Sequence, residues 1–550
     1  MRKILFAFLL TLTLLLPTAA FGQAVKISGD ERKMAEAITA EQLSHYLYFV
    51  ASDAMGGRDT PSYGLDITAE FLKMNLSRWG FKPAGDDGTF FQRIALRRDA
   101  VDPMTTAVTI GGQKYAYGDE IIRVTGNSSA PLNAKLVYAG DGWMIKSKGL
   151  DPYKGLDVKG KIIVITSENA GPRGLVGLPQ GIKESDLTGA RGKDWADATL
   201  YARENGAVGV MILASKFMAE NWGAVTANFG RSRLVVDRLA TAAMPTSSGA
   251  TQPTIFLASA KVSNALFAGE TANPMSGAAP SFEISKDFNF SLATKAEMQW
   301  TQNVVAVWEG SDSALKGEMV AVGAHYDHDG IKPNAPGEDK IWNGADDDGS
   351  GTVAVLAIAE ALAKAKSRPK RSVLLVWHAG EEKGLWGSEY FNKFPTVDIK
   401  NVVAQLNIDM IGRSKKAGDT NPKNKDLTGE NAIYVIGSEM MSSTLGAITK
   451  ATNDSFLKLA YDYKYDDPKD TNRFFFRSDH YHYAVNGIPI SFWFDGVHED
   501  YHQATDTADK IDYKKMEKVT RTIFLTMLEL ADLKERPRID KTLPPELTRR

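Results

Sequence analysis

The sequence predicts an α/β protein: a mixed, largely parallel sheet sandwiched by helices, with a β-rich domain inserted into it. Three observations predict this class. The chain has 550 residues, which is more than one ordinary domain holds. Strand-like apolar runs alternate with helical patterns from about residue 303 to 533, as is typical of a largely parallel sheet. A segment of different composition, rich in Gly, Ala and Val, extends from about residue 132 to 275.

The alternation between residues 303 and 533 supplies the strands of the sheet and the helices that cover it. The predicted strands are Val304–Trp308, Met319–Gly323, Ser372–Trp377, Val402–Ile408, Ala432–Ile436 and Ile488–Phe494. The predicted helices are Gly351–Lys364, Gly387–Phe394, Met440–Asn453 and Tyr513–Leu533. In the last helix, Met516, Val519, Ile523, Met527 and Leu530 fall on one face, which indicates a helix packed on a sheet.

Five segments follow from these patterns. They are a signal peptide (1–22), the N-terminal part of the main domain (23–105), the inserted domain with its connecting strands (106–285), the main part of the main domain (286–535) and a C-terminal tail (536–550). The alternative is that the region read as an inserted domain is a further piece of the main domain.

The N-terminus has the pattern of a secretory signal peptide. Arg2 and Lys3 precede an apolar stretch, Ile4–Leu16, and small residues follow as far as Gly22. The alternative is an uncleaved anchor, but about 13 apolar residues fall short of the ~20 that a membrane span needs. We therefore expect a periplasmic or extracellular protein without a stable membrane anchor after cleavage. The absence of cysteine favours a bacterial over a eukaryotic secreted protein.

The composition excludes several classes of protein. A hydrophobic content of 43% with 24% charged residues is typical of a globular chain and not of a disordered one. Lys and Arg number 65 against 67 Asp and Glu, so the charge shows no nucleic-acid footprint. Without cysteine there are no thiol nucleophiles, disulfides or thiolate metal sites.

Ionisable side chains follow several of the predicted strands at the point where each strand ends. His325 follows one strand, Glu381 and Glu382 another, Asp409 a third, and His502 lies in the loop after a fourth. Three consecutive aspartates, residues 346–348, stand before a Gly-Ser-Gly turn that opens a helix. The carboxyl ends of parallel strands share one edge of a sheet, so we expect these side chains to meet in one crevice. Each residue alone would be read as an ordinary loop carboxylate or a packed histidine.

So many carboxylates in one cleft need nearby positive charge. Divalent metal ions provide it, and imidazoles with carboxylates form a plausible shell for zinc. The ligands are too few for two separate tetrahedral sites, but they suffice if one carboxylate and one water are shared by two ions. The cofactors expected are two Zn²⁺ ions, with Mn²⁺ or Co²⁺ as substitutes.

Several short motifs occur in the order seen in a known family. They are His325-Tyr326-Asp327, Asn343-Gly344-Ala345-Asp346-Asp347-Asp348-Gly349-Ser350-Gly351, Gly380-Glu381-Glu382, Asn407-Ile408-Asp409-Met410-Ile411-Gly412 and Tyr501-His502. Over about residues 303–533 the chain resembles the co-catalytic zinc aminopeptidases and glutamate carboxypeptidases, metallopeptidase family twenty-eight. Residues 49–58 resemble the N-terminal part of bacterial secreted members with a protease-associated insert, and residues 132–275 are similar to that insert.

This resemblance implies a set of metal ligands. His325 and Asp409 would bind one zinc ion, and Glu382 and His502 the other. Asp346 would bridge the two ions, with a cis peptide bond to the next residue. The fold implied is that of the zinc exopeptidases.

The resemblance also implies catalytic roles. Glu381 would be the general base that deprotonates the attacking water, or else a carboxylate that only adjusts the charge of the site. Asp327 would orient His325. Tyr501 would steady the oxyanion, as in some members, or else only pack. The other histidines of this region would be spare: His328, His378, His480, His482 and His498.

The function expected is a secreted exopeptidase that acts on peptides. An aminopeptidase is favoured because an acidic cleft suits a substrate ammonium group. A carboxypeptidase or dipeptidase is the alternative, with Arg413, Arg473 and Arg477 as available cations. A receptor-like binding protein is disfavoured because all the ligands are present, and a glutaminyl cyclase because those relatives lack the insert. A two-metal phosphatase is more distant, since no arginine stands at a strand end beside the site.

Overall fold

The structure is a computed structural model that describes residues 25–125, 131–166, 176–230, 233–242 and 253–548. The predicted signal peptide lies outside the described residues. The described chain forms two compact units. The first unit comprises the chain up to Ile94 and from Trp300 onward, and the second unit comprises Ala95–Gln299.

The boundaries between the two units lie close to the predicted segment boundaries but do not coincide with them. The sequence places the changes at residues 105/106 and 285/286, whereas the compact units meet at 94/95 and 299/300. Two long strands, Phe91–Val101 and Thr294–Trp308, run across these junctions. Because each strand is continuous across its junction, no turn or loop signal in the sequence marks the boundary there.

The first unit contains a mixed sheet with a parallel centre, so the predicted fold class is confirmed. In spatial order its strands are Phe91–Val101, Thr294–Trp308, Ser372–His378, Met319–His325, Val402–Ile408, Ile490–Phe494, Ala432–Ile436 and Ala460–Asp462. The third to sixth of these strands are parallel to one another. The strands on either side of these four are antiparallel to their inner neighbours. Lys82–Pro83 pairs with Thr294–Trp308, and Gly330–Ile331 pairs with Ile341–Trp342.

Helices cover this sheet. They are Gly29–Glu36, Ala40–Val50, Tyr63–Arg78, Gly351–Lys364, Trp386–Lys393, Ser443–Ser455, His480–Val485 and Tyr513–Asp532. The predicted periodic face of the last helix is confirmed, since Met516, Val519, Ile523, Met527 and Leu530 are fully buried. The predicted helix at 440–453 begins later, because Ser442 caps it by accepting a hydrogen bond from the Leu445 N–H.

The helix that follows the three aspartates is almost wholly buried. Gly351–Lys364 reads GTVAVLAIAEALAK, and eleven of its residues are buried. It lies in a core with the sheet and with Tyr513–Asp532. Truncation of a buried residue such as Leu356 to alanine would cost about 2–5 kcal/mol. The aspartate turn is therefore attached to a helix that the core holds on nearly all sides.

The second unit contains its own mixed sheet. In spatial order its strands are Gln113–Tyr115, Ala107–Ile110, Phe282–Ser291, Leu132–Tyr138, Ile162–Thr166, Gly209–Leu213, Thr254–Ala258 and Ile121–Thr125. The fourth to seventh strands are parallel, and the others pair antiparallel. Its further strands are Met144–Ile145, Trp195–Ala196 and Leu234–Val236, and its helices are Ala198–Glu204, Lys216–Glu220, Trp222–Phe229, Asp237–Ala242 and Ala260–Phe267. Apolar clusters pack on both faces of this sheet.

Among the described residues, no helix is both long and apolar enough to span a bilayer.

Candidate metal centre

The parallel strands of the first unit deliver the predicted side chains to one edge of its sheet. His325 is the last residue of its strand, and Asp409 follows Val402–Ile408 directly. Glu381 and Glu382 lie just beyond Ser372–His378. The three strands are adjacent in the sheet. As expected, this topology brings together side chains that are scattered over some 180 positions of the sequence.

The first group of side chains forms around His325, which is buried. Its Nε2 atom lies 3.3 Å from Asp347 Oδ1, 3.7 Å from Asp409 Oδ1 and 4.0 Å from Glu381 Oε2. On the other side of the ring, Nδ1 lies 3.1 Å from the backbone oxygen of Asp327 and 3.7 Å from its Oδ1. Two acceptors at Nδ1 favour a proton there, so in the neutral imidazole the lone pair would be on Nε2, the nitrogen that faces the carboxylates. Asp327 also accepts a hydrogen bond from the Glu381 N–H at 3.1 Å.

The second group shares Asp347 with the first. Asp347 Oδ2 lies 3.1 Å from His502 Nε2, and the same nitrogen lies 3.1 Å from Glu382 Oε2. His328 Nδ1 lies 2.8 Å from Glu382 Oε1 and 3.9 Å from Asp347 Oδ2. The two carboxylate oxygens of Asp347 thus face different histidines. The carboxylate lies between the two groups.

The prediction that Asp346 occupies this central place is wrong by one residue. Its Oδ1 accepts a hydrogen bond from the Gly412 N–H at 2.7 Å, and its Oδ2 lies 3.2 Å from His498 Nε2. The cis peptide bond joins Asp347 to Asp348, and not Asp346 to Asp347. The Asp506 carboxylate fixes the turn by accepting the N–H groups of Asp346 and Asp347 at 3.0 and 3.1 Å. Among three consecutive aspartates, strand-end reasoning cannot tell which one faces the crevice.

Asp348, the third aspartate of the turn, has a structural role. Its Oδ1 accepts hydrogen bonds from the N–H groups of Gly351 and Met410, at 2.8 and 3.2 Å. It therefore ties the start of the buried helix to the loop that carries Asp409. Burial, together with the charge of Asp409, raises the pKa of Asp348 well above its usual value.

Electrostatic coupling separates the two adjacent glutamates. Burial raises the pKa of Glu381 well above its usual value, and the charges of Glu382 and Asp409 add to this. Glu382 is also buried, but its close contacts with His328 and His502 lower its pKa to about 2. The two neighbouring carboxylates therefore differ in proton affinity, which is higher at Glu381 than at Glu382.

The negative charges of these carboxylates also raise the pKa values of two histidines. Although burial opposes it, Asp409 and Glu381 raise the pKa of His325 well above its usual value. Burial also opposes the charged form of His502, yet Asp347 and Glu382 raise its pKa to about 10. A site that draws protons this strongly onto its imidazoles has an excess of negative charge.

The donor set fits divalent metal ions. His325 Nε2, Asp347 Oδ2 and Glu382 Oε1 are buried and make no hydrogen bond of normal geometry. Ligand atoms of His325, Asp347 and Asp409 lie within 4.8 Å of one another, and so do those of His328, Asp347 and Glu382. Buried polar atoms without partners are costly, and a cation between them removes that cost. Imidazole with carboxylate is a set that zinc, manganese and cobalt accept.

A small cavity opens beside this centre. It is lined by Asp347, Glu381, Asp409, Met410, Phe474, Arg477, Phe492, Phe494, Val497 and Tyr501. The Tyr501 ring stacks on the His502 ring with 4.0 Å between centroids. Burial raises the pKa of Tyr501, so its phenol stays protonated. Arg477 Nη2 donates a hydrogen bond to the Tyr501 oxygen at 3.1 Å.

Arg58 is a site-supporting residue that the sequence did not single out. Its buried guanidinium donates to the carbonyl oxygens of Tyr326, Asn343 and Gly344 at 2.8–2.9 Å, and to Val50 at 2.7 Å. It thereby joins the loop after His325 to the loop before the aspartates. Burial lowers the pKa of Arg58 to about 10, against the charges of Asp327 and Asp348. The available signal was the segment at 49–58, but nothing in it shows that backbone oxygens are the partners.

The histidines predicted as spare divide into two kinds. His328 and His498 contact the site through Glu382 and Asp346. His480 is buried against Phe492, with 4.5 Å between ring centroids, and burial lowers its pKa to about 3. His378 lies 3.0 Å from the Tyr483 hydroxyl. The alternation of strands and loops does not distinguish these cases.

Comparison with known proteins agrees with this geometry. Residues 303–527 match the model of Peptidase family M28. A probable leucine aminopeptidase of Arthroderma otae is 30% identical over 250 residues, which are 44% of this chain and 60% of that protein. A probable zinc metalloprotease of Leptosphaeria maculans is 27% identical over 285 residues, which are 45% of this chain and 62% of that protein. The chain spans about six tenths of the length of these two relatives.

Among solved structures, an aminopeptidase from Aneurinibacillus sp. strain AM-1 is 17% identical with a TM-score of 0.47, over 94% of this chain and 98% of its own. The motifs that carry the candidate ligands lie within the stretch that matches the family model. Residues 303–527 are therefore similar to Peptidase family M28.

Proposed function

We propose that this protein is a zinc-dependent aminopeptidase that removes N-terminal residues from peptides. The observation that carries the proposal is the Asp347 carboxylate, which lies between two histidine-carboxylate groups with Glu381 beside one of them. Relatives named as a leucine aminopeptidase and a zinc metalloprotease support the same activity.

Two zinc ions are the proposed cofactor. His325 and Asp409 would hold one, Glu382 and His502 the other, and Asp347 would be shared in place of Asp346. His328, beside Glu382, would steady that carboxylate or join the second set. When bound, the ions would lower the pKa of water and polarise the scissile carbonyl group. Mn²⁺ or Co²⁺ would suit the same donors.

The protein's own residues would move the protons. Glu381, whose pKa is raised, would take a proton from the attacking water and return it to the leaving amine. Asp327 would hold His325 in the tautomer that turns Nε2 inward. Tyr501 would donate its O–H to the carbonyl oxygen as charge develops on it. Since Arg477 donates to the Tyr501 oxygen, the phenol hydrogen is left for this purpose.

An aminopeptidase is favoured over a carboxypeptidase by the charges around the centre. Asp347, Glu381 and Asp409 line the cavity and suit a substrate ammonium group. Of the three arginines considered as carboxylate anchors, Arg413 is already paired with Asp500 at 2.9 Å. Arg473 lines a different surface depression, where it stacks on Phe476. Arg477 alone lies in the cavity, so a dipeptidase activity is the second candidate.

One assay tests this function. Purified protein should hydrolyse leucine p-nitroanilide, lose that activity on chelation and regain it with zinc. The matched control is the same peptide with and without an N-acetyl group. An aminopeptidase should leave the acetylated peptide intact, whereas cleavage of the blocked peptide at its free C-terminus would overturn the assignment in favour of a carboxypeptidase.

We also propose that the protein is exported and that the second unit is a protease-associated insert. The signal-peptide pattern and the texture of residues 132–275 support these two statements. N-terminal sequencing of protein from the bacterial periplasm or culture medium should begin after Gly22. A cytoplasmic protein that keeps Arg2 and Lys3 would contradict export.

A further inference from the structure

A group of buried ionisable side chains lies behind the metal centre, on the segments that carry the candidate ligands. Its members are Asp346, Arg413, His498 and Asp500. None of these side chains belongs to a residue that is more than 8% exposed. The proposed binding of metal and transfer of protons use none of them. Burying so many charged and polar groups is costly unless they hold one another in place, so the group needs an explanation.

Two hydrogen-bond donors point at one nitrogen of the His498 ring. Arg413 Nη1 lies 3.3 Å from His498 Nδ1, and the Asp500 N–H donates to the same nitrogen at 3.2 Å. A guanidinium and a backbone N–H can only donate, so Nδ1 is the acceptor in both contacts. A neutral imidazole whose Nδ1 accepts carries its proton on Nε2.

The Nε2 atom of His498 faces Asp346. It lies 3.2 Å from Asp346 Oδ2. Both atoms are buried, and neither makes a hydrogen bond of normal geometry with another group of the described chain. The other carboxylate oxygen, Oδ1, accepts the Gly412 N–H at 2.7 Å. A buried carboxylate oxygen needs a donor beside it, and the Nε2 proton of His498 is placed to supply one.

The guanidinium that contacts His498 is itself fixed. Arg413 Nη2 lies 2.9 Å from Asp500 Oδ2. The other oxygen of Asp500 accepts hydrogen bonds from Lys510 Nζ at 2.8 Å and from Thr505 Oγ1 at 2.5 Å. The donors at His498 Nδ1 therefore have little freedom to turn away, and the ring keeps one orientation.

These contacts join three segments of the chain that carry candidate ligands. Asp346 lies next to Asp347 in the turn, and its carboxylate contacts the other two segments through Gly412 and His498. Gly412 belongs to the loop after Asp409. The loop that holds His498 leads on to the second candidate histidine. A change at the His498 ring would therefore act on the turn that presents Asp347.

We propose that His498 is a positioning residue of the metal centre, whose Nε2 proton holds Asp346 and thereby fixes the turn that presents Asp347 to both ligand groups. This rests on the proposed function, because it assumes that two ions share Asp347. It also gives a role to a histidine that the sequence suggested to be spare. Residues that hold a metal ligand from behind typically change metal affinity by about ten- to hundredfold when they are removed.

Three substitutions of His498 separate the two sides of its ring. His498→Gln keeps an N–H at the reach of Nε2 and an oxygen that can accept from Arg413, whereas His498→Asn keeps an acceptor near Nδ1 but is too short to reach Asp346. His498→Leu keeps neither group. Competition with a chelator should show zinc affinity lowered by about ten- to hundredfold in His498→Leu and His498→Asn, although both sites still fill in excess zinc. His498→Gln should keep most of the wild-type affinity.

Asn453→Leu is the control for a loss of stability alone. Asn453 is buried in the same unit, where its amide donates to the Leu459 oxygen at 2.7 Å and accepts the Leu459 N–H at 2.9 Å. Its replacement should lower the Tm of the metal-free protein and leave zinc affinity unchanged. An unchanged affinity in His498→Leu, or losses as large in His498→Gln or Asn453→Leu, overturns the inference.

Nuclear magnetic resonance of the metal-free protein tests the position of the proton directly. Labelling with ¹⁵N-histidine marks eight residues, and the His498 signals are those that disappear in His498→Gln. They should show an unprotonated Nδ1 and a protonated Nε2, and a proton on Nδ1 overturns the inference. Wild-type protein that binds zinc but cleaves no peptide overturns the peptidase function alone, and the zinc affinities still decide the role of His498. Wild-type protein that binds no zinc overturns both.

Discussion

The two units of the molecule build similar sheets with different chemistry at the strand ends. Each has four adjacent parallel strands in a mixed sheet. In the first unit these strands lead into His325, Asp409 and the Glu381-Glu382 pair. In the second unit, strands end at Tyr138, Leu213 and Ala258 and lead into small residues. Groups of three potential ligands occur, among the described residues, only in the first unit.

This contrast shows what topology contributes to a site. A parallel sheet brings strand ends to one edge in both units, so this arrangement alone does not determine a function. The function depends on which residues stand at that edge and on the groups behind them, such as Asp327 behind His325. All eight histidines of the sequence lie in the first unit. The predictions below test whether the chemistry is confined there.

The largest effect should come from Asp347→Asn. Loss of the carboxylate that we propose both ions share should remove metal from both groups and lower kcat by about four orders of magnitude or more, measured by elemental analysis and anilide turnover. The matched control is Asp346→Asn, which should retain both metals because Asp346 bonds to Gly412 and His498 instead. If Asp346→Asn lost its metals and Asp347→Asn kept them, the bridging role would belong to Asp346 instead.

The next largest effect should come from Glu381→Gln. The metal content should stay at the wild-type level, while kcat falls by about 10²–10⁴-fold because the proposed general base is lost. Glu382→Gln is the control and should lower the metal content as well. Near-normal turnover in Glu381→Gln would remove that residue from the proton-transfer role.

A smaller, regional effect should follow chelation of the wild-type protein. Hydrogen exchange should increase in peptides that contain His325, Asp347, Asp409 and His502, because their loops lose a cross-link. Peptides from the strands of the second unit, such as Ile162–Thr166 and Gly209–Leu213, should exchange at unchanged rates. Equal increases in both units would contradict the contrast between them.

The smallest effect concerns the pH dependence of the metal-free protein. Asp347 and Glu382 raise the pKa of His502 to about 10 against burial. This folded-state pKa exceeds the unfolded value of about 6.5. The contacts of His502 with the two carboxylates therefore stabilise the folded state fully below about pH 6.5, and this contribution is lost as the pH rises toward 10. The Tm difference between metal-free wild-type protein and His502→Gln should be a few degrees near pH 6 and vanish near pH 10. A difference that grows with pH would contradict the sign.

Much of the site was predictable because its residues follow strands. His325, Asp409, Glu381 and Glu382 stand directly after apolar runs whose parallel order places them at one edge. The fold class and the periodic C-terminal helix were predictable for a related reason, since burial of one face imposes a period on the sequence.

Other parts could not be predicted, because they depend on contacts between distant residues. The backbone of the aspartate turn is held by Asp506, about 160 positions away. Arg58 acts through backbone oxygens more than 250 positions away, and backbone oxygens carry no sequence signal. His328 and His378 both lie near strand ends, yet only His328 reaches Glu382. The unit boundaries fall inside continuous strands.

Anomalous diffraction at the zinc absorption edge tests the central claim most directly, on crystals of the purified protein with zinc. Two peaks about 3.5–4 Å apart should flank the Asp347 carboxylate, one beside His325 and Asp409 and the other beside Glu382 and His502. A single peak, or two peaks that flank Asp346 or lie in the second unit, would contradict the account.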